Sequence, residues 1–312
     1  NLPNNFFKDC TSLTTLTLPS TLTTIGNNVF ENCNSLTKIT IPTSVETIGA
    51  EILKGCSELY SLTVPFIGSS RAEDNEPKTS VLGYFFGEGE QGTSYTYSYT
   101  KNGKTINVEI PVVEQEYASG SVAYYFIPSS LTTITVNDSN FIPYGAFSNC
   151  RNLTSIIFIN TDGTANSLVE IKERVLYNCT GLKEFTFVET ITTVQEGMFE
   201  ECSSLTTVKK LEDTQITNLP NNFFKDCTSL TTLTLPSTLT TIGNNVFENC
   251  SSLTKITIPT NVESIGTEIL KGCTSLQTLT VPFIGRNRTD NETRTSVLGY
   301  FFGEGEQGTS YT

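Results

Sequence analysis

The chain has 312 residues, a formal net charge of −13 and no histidine. An acidic surface repels phosphate backbones, which argues against nucleic acid as a partner. No apolar run approaches the roughly 20 residues that a membrane-spanning helix needs. Without histidine, the usual zinc patterns and the usual base for a serine or cysteine nucleophile are missing. We therefore expect no catalytic residue, no cofactor, no metal site and no membrane insertion in this segment.

A cysteine recurs at one fixed place in a repeated motif that reads roughly F-x-x-C-x-S-L-T-x-L-T-L-P-x-x-L-x-x-I-G. Most steps between cysteines are 23 residues, with steps of 25 and 29 and one long gap. The nine positions are Cys10, Cys33, Cys56, Cys150, Cys179, Cys202, Cys227, Cys250 and Cys273. A fixed period of this length is typical of a solenoid of stacked coils.

Each unit begins with a short strand. Leu16 and Leu18 alternate with threonines, which is the pattern of a half-buried strand, and Pro19 ends it. The following segment 27–33 is too short for an independent helix and is predicted to form one helical turn. Stacked units are therefore predicted to form a parallel sheet on one side and short helical turns on the other.

The cysteines occupy equivalent positions and are predicted to stack like rungs. Side chains on stacked parallel strands keep their Cβ atoms about 4.8 Å apart or farther, whereas a disulfide needs about 3.5–4.5 Å. We therefore predict free, buried thiols that act as small apolar core residues.

The gap after Cys56 predicts a β-rich insertion, residues 67–128, between repeat segments 1–66 and 129–285. Within it, two alternating runs flank the letters K-N-G-K, and Asn-Gly in that setting is the strongest short hairpin signal. A two-residue loop predicts three cross-strand pairs on one face: Tyr95 with Ile110, Tyr97 with Val108, and Tyr99 with Ile106.

An internal duplication and one irregular coil modify the array. Residues 218–285 repeat residues 1–68 at 60 of 68 positions, and residues 295–312 repeat 79–96 without a difference. Segment 286–312 is therefore predicted to be a truncated second copy of the insertion, frayed or packed differently near Thr312. Lys209 and Lys210 replace the Thr-Leu step of one strand, where we predict a bulge.

Two positions per coil are predicted to face outward from the sheet. They are Thr15, Thr17, Lys38, Thr40, Ser61, Thr63, Thr133, Thr135, Ser155, Ile157, Glu184, Thr186, Thr232, Thr234, Lys255, Thr257, Thr278 and Thr280. Threonine is β-branched and polar, so it suits any solvated strand face. These rows are thus either an ordinary solvated face or a binding surface.

Two features of the insertion also allow two interpretations. Tyr95, Tyr97 and Tyr99 are either an exposed anchor patch, since tyrosine is favoured at interfaces, or a cover over the solenoid or the insertion's own core. The Gly/Glu segment 87–92 is interpreted as a turn. Its carboxylates leave calcium binding open, although their spacing fits no 12-residue calcium loop.

The unit L-T-x-I-x-I-P-x-S-V-x-x-I-G-x-x-x-F-x-x-C, as in Leu36–Gly49 leading to Leu53 and Cys56, resembles the BspA-like, or Treponema pallidum type, leucine-rich repeats. The resemblance covers almost the whole chain outside the insertion. It implies an α/β repeat solenoid, a right-handed superhelix with a parallel β-sheet on the concave face and short helical turns on the convex face. A β-hairpin insertion would interrupt it.

The same resemblance implies a function. Members of the family are mostly secreted or cell-surface proteins of bacteria and some protozoan parasites, and some bind host matrix proteins or other bacterial surfaces. We therefore expect an extracellular or cell-surface adhesion scaffold, a monomer without catalytic residues, that binds protein. The alternative is a passive stalk that presents other domains.

Overall fold

The structure is a computed structural model that describes residues 1–71, 77–101, 103–159, 168–289, 295 and 297–303. The chain divides into two compact units, Asn1–Ser167 and Leu168–Thr312. Across the described stretches, no helix combines the length and the apolar character needed to traverse a bilayer.

Unit 1 consists of short strands joined by turns. They are β1 (Thr24–Ile25), β2 (Lys38–Thr40), β3 (Thr47–Ile48), β4 (Ser61–Val64), β5 (Glu88–Gly89), β6 (Ser94–Lys101), β7 (Lys104–Pro111), β8 (Val113–Ala118), β9 (Ser121–Tyr125), β10 (Thr133–Asn137), β11 (Phe141–Ile142) and β12 (Ser155–Ile159). The main sheet is parallel, in the order β2-β4-β10-β12, and β1 pairs with β3 in a second parallel ladder.

Unit 2 is also built from short strands joined by turns. Its elements are β13 (Glu170–Ile171), β14 (Glu184–Thr186), β15 (Thr193–Val194), β16 (Thr207–Lys209), β17 (Asn218–Leu219), β18 (Thr241–Ile242), β19 (Lys255–Thr257), β20 (Ser264–Ile265), β21 (Thr278–Thr280) and the short helix α1 (Gly299–Phe302). Parallel ladders join β13 to β15, β14 to β16, β17 to β18 to β20, and β19 to β21. Each unit is therefore a β-solenoid, as the period predicts.

The side opposite the main sheet is built from tight turns, so the predicted helical turns are not confirmed. Asn28 and Asn32 have φ angles of 57° and 59°, a left-handed conformation that ends any right-handed helix. The N–H groups of Asn28, Phe30 and Asn32 donate to carbonyls of the next coil at 2.8–3.0 Å. This turn ladder satisfies the backbone between coils, where a helix would satisfy it within one coil.

Apolar side chains at equivalent positions of successive coils stack into a buried column. Phe224 stacks on Phe199 and Phe247 with ring centroids 5.2 and 5.8 Å apart, and all three rings are fully buried. Parallel stacking is possible because each ring occupies the same position in its own coil. Burying one such side chain stabilises the folded state by roughly 1.5–3 kcal/mol. Because a single thin coil cannot bury its own apolar side chains, the coils stay folded only as a stack.

The insertion leaves the main sheet and returns to it without breaking it. β4 pairs directly with β10, aligning Leu62 with Ile134, although about 70 residues separate them in sequence. A 3₁₀ helix at Leu82–Phe85 takes the place of a coil on the turn side. The Leu53 N–H donates to the Phe85 carbonyl at 2.7 Å, and the Leu82 N–H donates to the Ala146 carbonyl at 2.9 Å.

The predicted hairpin register is confirmed. β6 and β7 are antiparallel and align three pairs, Tyr95 with Ile110, Tyr97 with Val108, and Tyr99 with Ile106. Residue 102 of the turn lies outside the described residues.

The second copy of the insertion begins as the first one does. The N–H groups of Glu268 and Leu270 donate to the carbonyls of Tyr300 and Phe301 at 2.9 and 2.8 Å. In the first copy, Glu51 and Leu53 donate to the matching carbonyls at 3.0 and 2.7 Å. The prediction about the chain near Thr312 falls outside the described residues.

The bulge predicted at Lys209 and Lys210 is wrong. β16 pairs with β14 in continuous register, with Lys209 opposite Thr186. Lys210 then turns the chain with a φ of 59°. The turn that follows is held by Thr214, a buried residue whose hydroxyl donates to the Leu211 carbonyl at 2.7 Å. The irregularity therefore lies in the connection after the strand.

Candidate functional site

The outward positions of unit 1 form two rows across the four-stranded sheet. The register gives the first row as Lys38, Ser61, Thr133 and Ser155, and the second as Thr40, Thr63, Thr135 and Ile157. None of these side chains is buried, while the alternating residues Ile39, Leu62, Ile134 and Ile156 are. Neighbouring strands stand about 4.8 Å apart. The rows are thus an accessible strip made mostly of hydroxyl groups.

The outward rows of unit 2 carry more charge. Glu184 and Thr186 on β14 face outward beside Thr207 and Lys209 on β16, and the Lys209 ammonium lies 2.6 Å from a Glu184 carboxylate oxygen. Both side chains are about half exposed, so this ion pair stabilises little. The sequence reasoning missed Thr207 and Lys209 because two lysines hid the T-x-T pattern. Their period-two spacing around Val208 was the signal.

The other outward residues divide between regular and irregular coils. Lys255 and Thr257 on β19 align with Thr278 and Thr280 on β21, and all four are exposed. Four further threonines are also exposed but lie outside strands β1–β21, namely Thr15, Thr17, Thr232 and Thr234. Of these, Thr232 makes a single isolated bridge to Lys255.

A groove opens in the outward face of unit 2 beside that irregular coil. Cys202 and Cys227 are 25 residues apart rather than 23. Within the fully described stretch 168–289, no backbone hydrogen bond or strand pairing joins residues 206–209 to residues 231–234. The turn sides of the same coils stay joined, for example by the Phe199 N–H, which donates to the Phe223 carbonyl at 3.0 Å. The two coils are therefore separated on the sheet side only, and a cavity of about 440 Å³ lies between them there.

The three hairpin tyrosines cover the solenoid and do not form an exposed patch. The Tyr95 and Tyr97 hydroxyls donate to the Asn32 side-chain oxygen at 3.0 Å and to the Gly55 carbonyl at 2.5 Å. Tyr99 is only 9% exposed. Burial raises the pKa of Tyr97 to about 12. Of the two interpretations drawn from sequence, these contacts favour the cover over the solenoid.

A buried glutamine fastens the insertion to the coil that follows it. Gln115 is fully buried, and its side-chain oxygen accepts the Gly83 N–H at 2.6 Å. Its amide nitrogen donates to the Ala146 and Ser148 carbonyls at 3.3 Å each. The sequence reasoning missed this residue, because a lone glutamine in an alternating strand gives no sign of which face is covered.

The Gly/Glu segment shows no convergence of acids. The Glu88 carboxylate lies 3.4 Å from the Lys78 ammonium, and Glu90 uses its carbonyl to accept the Thr93 hydroxyl. Nowhere in the described part of the chain do three or more cysteine, aspartate or glutamate side chains cluster as metal ligands would. Residues 304–308 of the second copy lie outside the described residues.

The cysteines form a buried ladder, as predicted, with one exception. All nine are free, eight are buried, and Cys10 is exposed. The thiols of Cys33, Cys56, Cys227 and Cys250 each donate to a phenylalanine carbonyl of the preceding coil at 3.2 Å. The thiol therefore satisfies a backbone acceptor as well as filling space.

Only Cys10 is expected to react with a thiol reagent in the native protein. Burial raises the pKa of Cys33 and Cys273 to about 12 and raises the pKa of Cys56 well above its ordinary value, so these thiols stay protonated near neutral pH and lack the reactive thiolate. Alkylation read by intact mass should add one label natively and nine in denaturant. The Cys10→Ser variant should gain no label when native and eight labels in denaturant. If a second cysteine of the native protein were labelled at a rate similar to that of Cys10, the prediction would be contradicted.

Stacked parallel coils with an exposed hydroxyl-rich face define a repeat scaffold. The sequence matches the model of the BspA type leucine rich repeat region in six copies, over residues 1–71, 119–213 and 160–277. Because these ranges cover well over half of the chain, the protein belongs to that leucine-rich repeat family. No curated protein matches the sequence.

Several solved bacterial leucine-rich repeat proteins resemble the chain. A leucine-rich repeat protein from Bacteroides ovatus has 22% identity and a TM-score of 0.44, covering 89% of this chain and 69% of that one. A protein described as a leucine rich cell surface protein from Faecalibacterium prausnitzii has 20% identity and a TM-score of 0.39, covering 92% and 82%. One from Eubacterium ventriosum has 15% identity and a TM-score of 0.49, covering 92% and 83%.

Proposed function

We propose that this chain is a non-enzymatic, monomeric scaffold that binds protein partners at a cell surface or outside the cell. The observation that carries the proposal is the strip on unit 1, where two rows of side chains lie in register over four strands and none is buried. Binding surfaces of this kind need a rigid frame and accessible hydrogen-bonding groups, and both are present.

The family supports a surface role. Its repeat builds scaffolds, and one similar protein is described as a cell surface protein. The partners we propose are host matrix proteins or proteins of other bacterial surfaces, and the contact is adhesive. We retain the division into repeats 1–66, insertion 67–128, repeats 129–285 and second insertion copy 286–312, with the outward rows of the repeats as the contact residues.

The test adds bulk and charge to the strip. Thr40→Arg with Thr135→Arg places two long side chains two strands apart on the outward face of unit 1. The matched control, Thr21→Arg with Ser129→Arg, adds the same charge at exposed turn residues. Binding is measured on immobilised host matrix proteins and bacterial surface extracts. We expect the strip variant to lose at least tenfold in affinity and the control to retain binding.

Two results would overturn the proposal. If the strip variant and the control bind equally well, the contact lies elsewhere. If the unmodified chain retains nothing from either source, the chain acts as a passive spacer. Circular dichroism of both variants guards against misfolding as the cause of lost binding.

A further inference from the structure

We infer that the groove of unit 2 accepts an extended peptide segment of the partner as an added strand between β16 and residues 231–235. This inference rests on the proposed function and names the class of partner that the site would take. The groove is distinct from the strip on unit 1, so the two proposals are tested separately.

The backbone of the groove offers the first reason. β16 pairs with β14 along one edge, and its other edge makes no backbone hydrogen bond to the neighbouring coil within residues 168–289. Residues 231–234 face it with an equally unpaired edge, since the bridge that Thr232 makes to Lys255 is on the far side. Open strand edges are templates for another strand. A peptide between these two would find partners on both sides.

The walls of the groove fix the side-chain pattern of that peptide. Val208 and Leu233 point inward and are half-buried, and Leu235 beyond them is 6% exposed. Thr232 and Thr234 point outward and line the cavity. Because side chains alternate along a strand, the peptide should carry apolar residues at alternate positions facing Val208 and Leu233.

Two charged side chains of the groove favour one direction of the peptide and one sign of charge near each of its ends. Lys255 lines the groove at the start of β19, and Glu212 lines it beyond the end of β16. In the described part of the chain, neither side chain has an ion-pair partner. A strand added parallel to its neighbours would place an acidic residue near Lys255 and a basic residue near Glu212. The two would be about four residues, or roughly 13 Å, apart.

The experiment uses the full chain and three synthetic peptides. The matched peptide is acetyl-Ser-Glu-Val-Thr-Val-Lys-Ser-amide, the second exchanges its Glu and Lys, and the third is N-methylated at the central Thr, which removes a backbone donor. Affinities come from fluorescence anisotropy of labelled peptides. We expect the exchanged peptide to bind at least threefold more weakly and the N-methylated peptide at least tenfold more weakly. Equal affinities for all three would overturn the inference.

Two protein variants locate the site. Lys255→Glu should weaken the matched peptide at least threefold, whereas Lys38→Glu, at the same repeat position in unit 1, should leave it unchanged. Thr234→Trp should block the groove, whereas Thr17→Trp, its counterpart in the first copy, should not. Equal losses in both members of a pair would show non-specific attraction and overturn the inference. If the chain self-associates with rising concentration and Thr234→Trp abolishes this, a second copy of the chain occupies the groove. That result would also overturn the inference.

Failure of this inference and failure of the proposed function give different results. If the unit 1 strip variant still loses its protein partners while no peptide discriminates between Lys255→Glu and Lys38→Glu, only the groove proposal falls. If the peptide pattern holds while the strip variant binds normally, the partner uses the groove and not the strip.

Discussion

Replacing Leu82 by alanine is expected to lower the free energy of unfolding of the insertion by about 2–5 kcal/mol. The same change at Leu298 is expected to alter stability by no more than about 0.5 kcal/mol. Both leucines stand in the identical sequence T-S-V-L-G-Y-F-F-G. Any difference between the two variants must therefore come from what packs against them, because local propensity is the same.

The structure shows a large difference in packing. Leu82 is fully buried, whereas Leu298 is 49% exposed. The preceding valines differ in the same way, Val81 being fully buried and Val297 48% exposed. In the first copy, the Leu82 N–H bonds to Ala146 of the returning coil and β9 packs beside the 3₁₀ helix.

Tyrosine fluorescence during denaturant unfolding measures this effect. The chain has no tryptophan, and seven of its 12 tyrosines lie between residues 67 and 128, so the signal reports mainly on the insertion. Hydrogen exchange over residues 77–128 gives a second readout, and Leu82→Ala should raise exchange there. Equal losses of stability in Leu82→Ala and Leu298→Ala would contradict this difference in burial.

Features with a local signature were predictable from the sequence. The period of 23 gave the solenoid, because each coil repeats one supersecondary unit. Alternation around Leu62 and Ile134 gave the buried and outward faces of the sheet. The Asn-Gly turn gave the register of β6 and β7, since loop length fixes which residues oppose each other.

The turn side was not predictable in the same way. Segment 27–33 has apolar residues at a spacing that fits one helical turn, yet Asn28 and Asn32 adopt left-handed conformations. What decides is the bonding of their N–H groups to the next coil, an interaction between residues about 22 positions apart. Asparagine tolerates this conformation better than most residues. Its recurrence in the repeat was therefore the available signal.

The candidate site was predicted in part for a similar reason. Outward strand positions follow from alternation, so the rows on unit 1 were found. The groove in unit 2 depends on how a longer coil separates from its neighbour, and only the 25-residue step after Cys202 hinted at it. The placement of the tyrosines depends on how the insertion folds back onto Gly55, which no local pattern encodes.

Gln115→Leu is expected to destabilise the insertion by about 2–6 kcal/mol, since it would leave two buried backbone groups without a partner at about 1–3 kcal/mol each. The Gly83 N–H would lose its acceptor, and the Ser148 carbonyl would lose its amide donor. The Ala146 carbonyl keeps the Leu82 N–H and contributes little to the loss. Gln277→Leu is the matched control, because Gln277 is exposed and should tolerate the change.

Gln115→Glu separates hydrogen bonding from shape, because the two side chains are nearly isosteric. A buried carboxylate facing two carbonyls is disfavoured, so the folded protein should raise the pKa of this Glu above its ordinary value of about 4.3. A raised pKa means that stability is fully present below about pH 4 and is lost as pH rises through the folded-state pKa. Denaturant midpoints measured from pH 4 to 8 should therefore fall relative to the unmodified chain. The denaturant midpoints of Gln277→Glu should follow those of the unmodified chain over this pH range. If the midpoints of Gln115→Glu also followed them, Gln115 would only fill space.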